Sequence, residues 1–415
     1  MGRCNVVLPH YAFFEALAEC TDENSAEWRA TSAGLVTLRL FDDWVRDGAN
    51  AVTSDSWTLR AVRDAIAAID PGNTARALLT SLVDSMQLAR HARVAVVAPR
   101  LLAYARALQF EARWALAADV YQTVLVSADP VSDADVVIVA NMQLGACQRV
   151  LGKWNDAREA YETAAEVATL TGDVMNVLKA RIAEGNVAMA RGNLPAAERI
   201  LDTAIEGAEE NGLHELRALA IQDRGVVARH RGDLETAARF AYEALSALQN
   251  QVARDRALAD LAAIFFDMGI LSAARDANLV LAATAQEQYT RWVATINLLE
   301  IAAVDQREPV FEQYRRELAE ASLPVTLAAY YFYYVGEGYR RFERMEQARV
   351  ALGRAIEVAS RHSINEVLIK AEKALADLRM GGVIITSATP DAASETIAGI
   401  VSAIHEMRTL AGVGG

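Results

Sequence analysis

The side chains that could do chemistry are scattered along this sequence and form no catalytic motif. The six histidines stand singly, and none has a second histidine four residues away, as a metal-binding helix face would require. Acid pairs such as Asp133 with Asp135 are typical of helix ends and solvated surfaces rather than of a general acid and base. The sequence also has no GxxxxGK[ST] loop, no HExxH motif and no GxSxG motif. We therefore expect no enzymatic activity, no cofactor and no metal site.

The composition indicates a folded, acidic protein. Of the 415 residues 53% are hydrophobic, which is enough to bury a core, and the formal charge is −13. This charge argues against binding to nucleic acid or to anionic membranes. The three cysteines are too few for a disulfide framework, and the longest uncharged run, residues 321–336, is too short to span a membrane. We expect a cytoplasmic protein with no nucleic-acid partner and no membrane span.

A repeat organises most of the chain. A pattern of small and apolar residues around Gly145 recurs 40 residues later at Gly185 and again at Gly225. Towards the C-terminus the step shortens to 37 residues, which gives eight repeats between about residues 57 and 380, including a degenerate copy around Leu299. Within each repeat the apolar residues recur at spacings of three and four, so each repeat predicts two amphipathic helices.

Two glycine positions in each repeat explain this pattern. Gly145 and its equivalents stand where the first helix of a pair crosses the second so closely that a larger side chain would clash. We call this the crossing position. Gly152 and its equivalents follow where the first helix ends and a left-handed backbone favours glycine, and we call this the turn position.

The pattern from Leu144 through Gly152 to Ala164 resembles the tetratricopeptide repeat, in a form of about 40 residues rather than about 34. The resemblance covers roughly three quarters of the chain and implies an all-α fold, a right-handed α-solenoid of about eight helix pairs. We expect residues 1–56 to form an N-terminal cap or an atypical first repeat, and residues 57–380 to form the solenoid. Residues 381–415 are predicted to be a linker followed by an amphipathic helix.

In tetratricopeptide proteins the first helices line a concave groove, so the resemblance also implies a ligand-binding side. Residues at and near this side are Arg106, Arg149, Lys179, Asn186, Met189, Arg229, Phe266 and Arg340. Guanidinium groups bind carboxylates in a bidentate fork, so our hypothesis is a groove for an acidic peptide segment or a C-terminal carboxylate. The alternative is that these arginines are solvated helix edges, salt-bridged to neighbours such as Glu184 and Asp223.

Aromatic residues crowd one predicted helix near the end of the repeats. Tyr330, Tyr333, Tyr334 and Tyr339 form a second candidate recognition surface, since tyrosines offer large rigid area with a polar end. The alternative is that they fill the seam against the degenerate copy around Leu299.

The predicted C-terminal helix has one apolar face, which carries Ile397, Ile400 and Ile404. Such a face needs a partner. We expect it to fold back over the last repeat, because open solenoid ends must be capped. The alternatives are that residues 383–415 occupy the groove as an autoinhibitory segment, or that they mediate self-association.

The main functional interpretation is a non-enzymatic scaffold or adaptor that binds a protein or peptide in the groove. The alternative is a bacterial sensory or regulatory protein whose superhelix responds to a peptide or a small effector.

Overall fold

The computed structural model describes residues 9–53, 56–89, 94–362, 364–379 and 394–413. Within these ranges every regular element is a helix, and none of these helices is long and apolar enough to cross a membrane. The chain divides into two compact units, an N-terminal unit over Met1–Asn211 and a C-terminal unit over Gly212–Gly415.

The N-terminal unit contains ten α-helices among its described residues, with a short 3₁₀ helix over Gly48–Val52 after the second. The α-helices are α1 (Tyr11–Glu19), α2 (Ala26–Asp47), α3 (Trp57–Ala67), α4 (Thr74–Leu88), α5 (Val94–Phe110), α6 (Trp114–Ser127), α7 (Ala134–Val150), α8 (Trp154–Thr171), α9 (Val174–Ala190) and α10 (Leu194–Glu210).

The C-terminal unit likewise contains ten α-helices among its described residues. They are α11 (His214–His230), α12 (Leu234–Ala247), α13 (Gln251–Asp267), α14 (Leu271–Thr284), α15 (Gln288–Val304), α16 (Glu308–Glu320), α17 (Val325–Arg341), α18 (Met345–Arg361), α19 (Asn365–Arg379) and α20 (Glu395–Leu410).

The helix starts confirm the repeat found in the sequence. Helices α5, α7 and α9 begin 40 residues apart, and helices α11, α13, α15 and α17 begin 37 residues apart. Helices α3 to α18 form eight pairs in chain order, in which the odd-numbered helix is the first of its pair and the even-numbered helix the second. The fold is therefore an all-α array of helix pairs, as predicted.

The crossing and turn positions have the geometry that the repeat predicts. A Cβ atom at Gly145 would lie 2.6 Å from Cε1 of Tyr161, on the second helix of the same pair. The backbone at Gly152 is left-handed, with φ 71°. Where glycine is missing from the turn position, Gln306 and Glu343 still adopt left-handed values, φ 56° and 59°. The degenerate copy around Leu299 therefore keeps the turn of the others.

A buried histidine ties the first helix to the helices that pack against it. Helix α1 packs on α2 and α6, and His10 precedes it with φ 60°. The ring of His10 lies 2.9 Å from Asp42 on α2 and 2.8 Å from Asp119 on α6. Burial alone would lower the pKa of His10, but the two carboxylates outweigh it and raise this pKa from 6.5 to about 9. The start of α1 is thus joined to α2 and α6 by a cationic histidine between two carboxylates.

The last helix pair is covered by α19, not by α20. Val367 and Ala371 of α19 are buried against Leu352 and Ala355 of α18. The expectation that the C-terminal helix covers the last repeat is therefore wrong, because α19 already buries that apolar face. Residues 381–393, predicted to be a linker, lie outside the described residues.

Helix α20 instead lies against α12 and α14, the second helices of two successive pairs. Its three isoleucines, Ile397, Ile400 and Ile404, are buried. Asp276 of α14 is only 5% exposed, and its carboxylate bonds to His405 at 2.9 Å and to Arg408 at 3.0 Å. A buried carboxylate needs a cationic partner. Asp276 therefore favours the docking of α20 at this site, because the C-terminal part of α20 carries His405 and Arg408.

Candidate ligand-binding surface

The first helices of neighbouring pairs contact one another and form one continuous face in each unit. In the N-terminal unit α7 contacts α5 and α9, and in the C-terminal unit α15 contacts α13 and α17. We call these surfaces the first-helix faces. The residues that the sequence analysis assigned to a groove all lie on first helices.

In the N-terminal unit the predicted arginines lie beside buried tyrosines. Arg106 on α5 is next to the Tyr121 hydroxyl, and Arg149 on α7 is next to the Tyr161 hydroxyl. Burial raises the pKa of both tyrosines, and the guanidinium groups act in the opposite direction. Among the described residues, no carboxylate forms an ion pair with either arginine. Each of these two arginines therefore has a tyrosine hydroxyl as its neighbour and no ion pair among the described residues.

Helix α9 carries the other three candidates of this unit. Lys179 is exposed, whereas Asn186 and Met189 are half-buried. Glu184, which the alternative interpretation paired with a groove arginine, forms its ion pair with Arg181 of the same helix, at 3.0 Å. The acidic neighbour of this face is thus neutralised without using Arg106 or Arg149.

In the C-terminal unit the predicted arginines already have carboxylate partners. Nε of Arg229 on α11 lies 2.6 Å from Oδ2 of Asp267 on α13. Arg340 on α17 lies 3.4 Å from Glu337, one turn earlier on the same helix. Phe266 is half-buried on α13, next to Asp267. Arg229 and Arg340 are thus salt-bridged to acidic neighbours, as in the alternative interpretation of the sequence. Their partners are Asp267 and Glu337.

Three of the four candidate tyrosines lie together and half-buried on α17. The rings of Tyr330 and Tyr334 stack with their centroids 6.4 Å apart, and Tyr333 meets Tyr334 edge-on at 5.1 Å. The Tyr330 hydroxyl donates a hydrogen bond to Glu366 of α19 at 2.9 Å. These three rings form a partly exposed aromatic surface.

The fourth candidate tyrosine belongs to the core. Tyr339 is buried, its ring meets Phe311 edge-on at 5.5 Å, and its hydroxyl donates to Glu312 at 2.9 Å. Placing Tyr339 in an exposed patch was therefore wrong. The physical reason is that Phe311 of α16 stands where other repeats have a small residue. Its large ring packs against aromatic side chains of α17, including Tyr339, in one core cluster.

The sequence analysis missed Glu300, a carboxyl group of the C-terminal unit whose pKa is raised to about 7. Glu300 follows the crossing position of α15, and Glu337 follows the crossing position of α17, 37 residues later. Burial raises the pKa of Glu300 to about 7, and the charges of Arg341 and Lys370 only partly oppose this. Stepping 37 residues back from Glu337 would have found it, but the copy around Leu299 was treated as degenerate.

The arrangement is suited to binding. No group of three or more histidine, cysteine or acidic side chains among the described residues could hold a metal ion. The N-terminal first-helix face presents cations, and the C-terminal one presents tyrosines, carboxyl groups and neutralised arginines. Side chains of these types fix the ends and side chains of a peptide through charge-assisted hydrogen bonds and ring contacts.

No family model matches this chain, and the comparison with curated proteins also found no match. Among solved structures, the Rap conjugation gene regulator of the plasmid pLS20, in complex with the Phr* peptide, aligns with a TM-score of 0.43 and 12% identity over 84% of this chain and 96% of that chain. The apo form of RapI aligns with a TM-score of 0.45 and 9% identity over 84% of this chain and 100% of that one. The apo form of the quorum sensor NprR from B. thuringiensis aligns with a TM-score of 0.42 and 13% identity, covering 82% of this chain and 98% of its own.

Proposed function

We propose that this chain is a non-enzymatic scaffold or adaptor of the bacterial cytoplasm, built from tetratricopeptide-type helix pairs, that binds a protein or peptide along its first-helix faces. One observation carries the proposal. These faces hold partly buried ionisable groups that form no ion pair among the described residues, Arg149 in the N-terminal unit and Glu300 in the C-terminal unit. Burying a charged group without a partner costs stability. A ligand that supplies ion-pair or hydrogen-bond partners to these groups would offset that cost.

For the N-terminal unit we propose an acidic peptide segment or a C-terminal carboxylate as the ligand. Arg106 and Arg149 supply the cations, each beside a tyrosine hydroxyl that leaves its charge unsatisfied. Lys179 adds charge at the exposed edge, while Asn186 and Met189 offer an amide and a flexible apolar contact on α9.

For the C-terminal unit we propose contacts of a different kind. Tyr330, Tyr333 and Tyr334 offer ring faces and hydroxyl groups, and Phe266 adds an apolar contact on α13. Arg229 and Arg340 support this face through their ion pairs with Asp267 and Glu337.

The experiment is selection of a peptide library in which each acidic sequence is displayed with either a free or an amidated C-terminus. Wild-type protein is compared with Arg149→Glu and with Arg199→Glu, a matched charge reversal at an exposed position on the second helix α10. We expect acidic peptides with free C-termini to be enriched, to be lost with Arg149→Glu and to be kept with Arg199→Glu. Equal loss or equal retention in the two variants would count against the proposed face.

A regulatory function is the second candidate, and the position of α20 favours it. Helix α20 contacts second helices of two successive pairs, so its docking depends on the spacing between α12 and α14. A ligand on the first helices that changes the angle between those pairs would also alter the α20 site. Hydrogen exchange of the α20 amides with and without a selected peptide tests this, because a pure adaptor predicts no change in α20.

A further inference from the structure

An open cleft lies between the second helices α16 and α18, on the opposite side of the pairs from the first-helix faces. We call it the α16–α18 cleft. Its cavity of about 550 Å³ is bounded by Leu318 of α16 and Val350 of α18, with Tyr331 and Val335 of α17 among its lining residues. Val350 is 66% exposed, which is unusual for a valine in an apolar cavity. Cavities of this volume are typical of binding sites.

The chain places its own helix against the two second helices at the matching sequence positions. Helices α12 and α14 precede α16 and α18 by two 37-residue steps, and α20 lies against both of them. There Ile397, Ile400 and Ile404 supply the apolar face. The cleft between successive second helices is therefore a place where this fold accepts an amphipathic helix, a recognition mode known for grooves of this kind.

The residues at matching positions of the two clefts differ in charge. Asp276, which binds the basic end of α20, is replaced by Val350 two steps later. In the same register Ala241 and Val280 are replaced by Arg315 and Arg354. The α16–α18 cleft therefore lacks the carboxylate that anchors α20 and has two arginines at matching positions. Glu346, which also lines the cleft, is paired with Arg349 at 3.0 Å.

Both arginines lie at the α16–α18 cleft and are held in place from within the C-terminal unit. The Arg354 guanidinium lies over the ring of Phe332, 5.5 Å from its centroid. Arg315 donates to Glu312 at 2.8 Å. Among the described residues Arg354 has no ion pair with a carboxylate, so its charge is available to a ligand in the cleft.

We propose that the α16–α18 cleft docks an amphipathic helix of another protein, with branched apolar residues on its inner face and carboxylates along its edge. The apolar face enters between Leu318 and Val350, and the carboxylates meet Arg354 and Arg315. The tail of a second copy of this chain is disfavoured, because the basic end of α20 would meet arginines and find no counterpart of Asp276.

The test uses two labelled peptides and the full-length chain. One is residues 394–413 as they stand, and the other has the same sequence with His405→Glu and Arg408→Glu, which gives an acidic amphipathic helix. Fluorescence anisotropy should show the acidic peptide binding at least tenfold more tightly. Val350→Glu should abolish this binding, whereas Ile369→Glu, at an equally exposed position on α19, should leave it unchanged.

A charge reversal tests the selectivity separately. Arg354→Glu should reverse the preference, so that the unmodified peptide binds more tightly than the acidic one. Thermal melting of each variant shows whether the C-terminal unit is still folded.

Four results would overturn the proposal. The acidic peptide could bind no more tightly than the unmodified one, or Val350→Glu could leave its binding unchanged. Tighter binding of the unmodified peptide, sensitive to Val350→Glu but not to Asp276→Ala, would make the occupant the tail of a second copy. If neither peptide binds, but an apolar dye binds in a Val350-dependent way, the cleft is a site for a small apolar ligand.

Discussion

The Asp276→Ala variant tests how α20 is held to its own chain. Asp276 is 5% exposed and bonds to Arg408, whose side chain is 20% exposed, and to His405, whose side chain is 61% exposed. Removing one partner of a fully buried ion pair costs about 3–5 kcal/mol, whereas an exposed pair contributes at most about 1 kcal/mol. Because His405 is mostly in solvent and Arg408 mostly buried, we expect a loss of about 2–3 kcal/mol in the docking of α20.

This loss corresponds to a shift of roughly 30- to 140-fold in the docking equilibrium, since about 1.4 kcal/mol is tenfold. Native-state hydrogen exchange of the amides over Ile397–Leu410 measures it directly, because only α20 should lose protection. The control is Glu357→Ala, which removes the exposed i,i+4 pair with Arg361 and should change exchange by less than about twofold. Unchanged protection of α20 in Asp276→Ala would refute the reasoning that this carboxylate selects the site.

Three further predictions concern the folded state. Asp119 and Asp42 raise the pKa of His10 in the folded state, so its stabilisation should be fully present below pH 6.5 and lost as the pH rises through about 9. Urea unfolding from pH 6 to 10 should show this fall in the free energy of unfolding for the wild type and not for His10→Gln. The pKa of Glu300 rises from 4.5 to about 7 on folding, so its ionisation opposes folding at higher pH. Glu300→Gln should therefore raise the melting temperature more at pH 8 than at pH 5. Equal increases in melting temperature at the two pH values would contradict this. Gly145→Ala should lower the free energy of unfolding by about 1–3 kcal/mol, because the new Cβ would lie 2.6 Å from the Tyr161 ring. Gly353→Ala, with no neighbour within 4 Å, should instead raise it by about 0.5–1 kcal/mol through the better helix propensity of alanine in α18. Denaturant titrations measure both changes.

The helix pairs could be predicted from sequence because their constraints are local and periodic. The clash that demands glycine at Gly145 and the left-handed turn at Gly152 recur at fixed spacing, so a period of 40 or 37 residues identifies them. The same periodicity identified Arg106 and Arg149 as residues of first helices. The tyrosines beside them, Tyr121 and Tyr161, are also 40 residues apart, but the period does not show which side chains meet across a helix pair.

The features that sequence analysis missed depend on single side chains and long-range contacts. The place of α20 follows from one buried carboxylate, Asp276, about 130 residues before its partner Arg408, and no periodic signal connects the two. Tyr339 was wrongly predicted to belong to the exposed aromatic surface, because the single residue Phe311 changes the packing between α16 and α17. Glu300 was missed because the weak consensus around Leu299 hid a helix pair whose turn is nevertheless regular at Gln306.

The central claim is that a peptide or protein binds along the first-helix faces, and site-specific cross-linking tests it most directly. A photo-reactive amino acid is placed at Met189, on the first helix α9, and in a separate variant at Thr203, at an exposed position on the second helix α10. With a peptide selected from the library, the account predicts a cross-linked product from the Met189 variant and none from the Thr203 variant. A product from Thr203 alone would contradict the account.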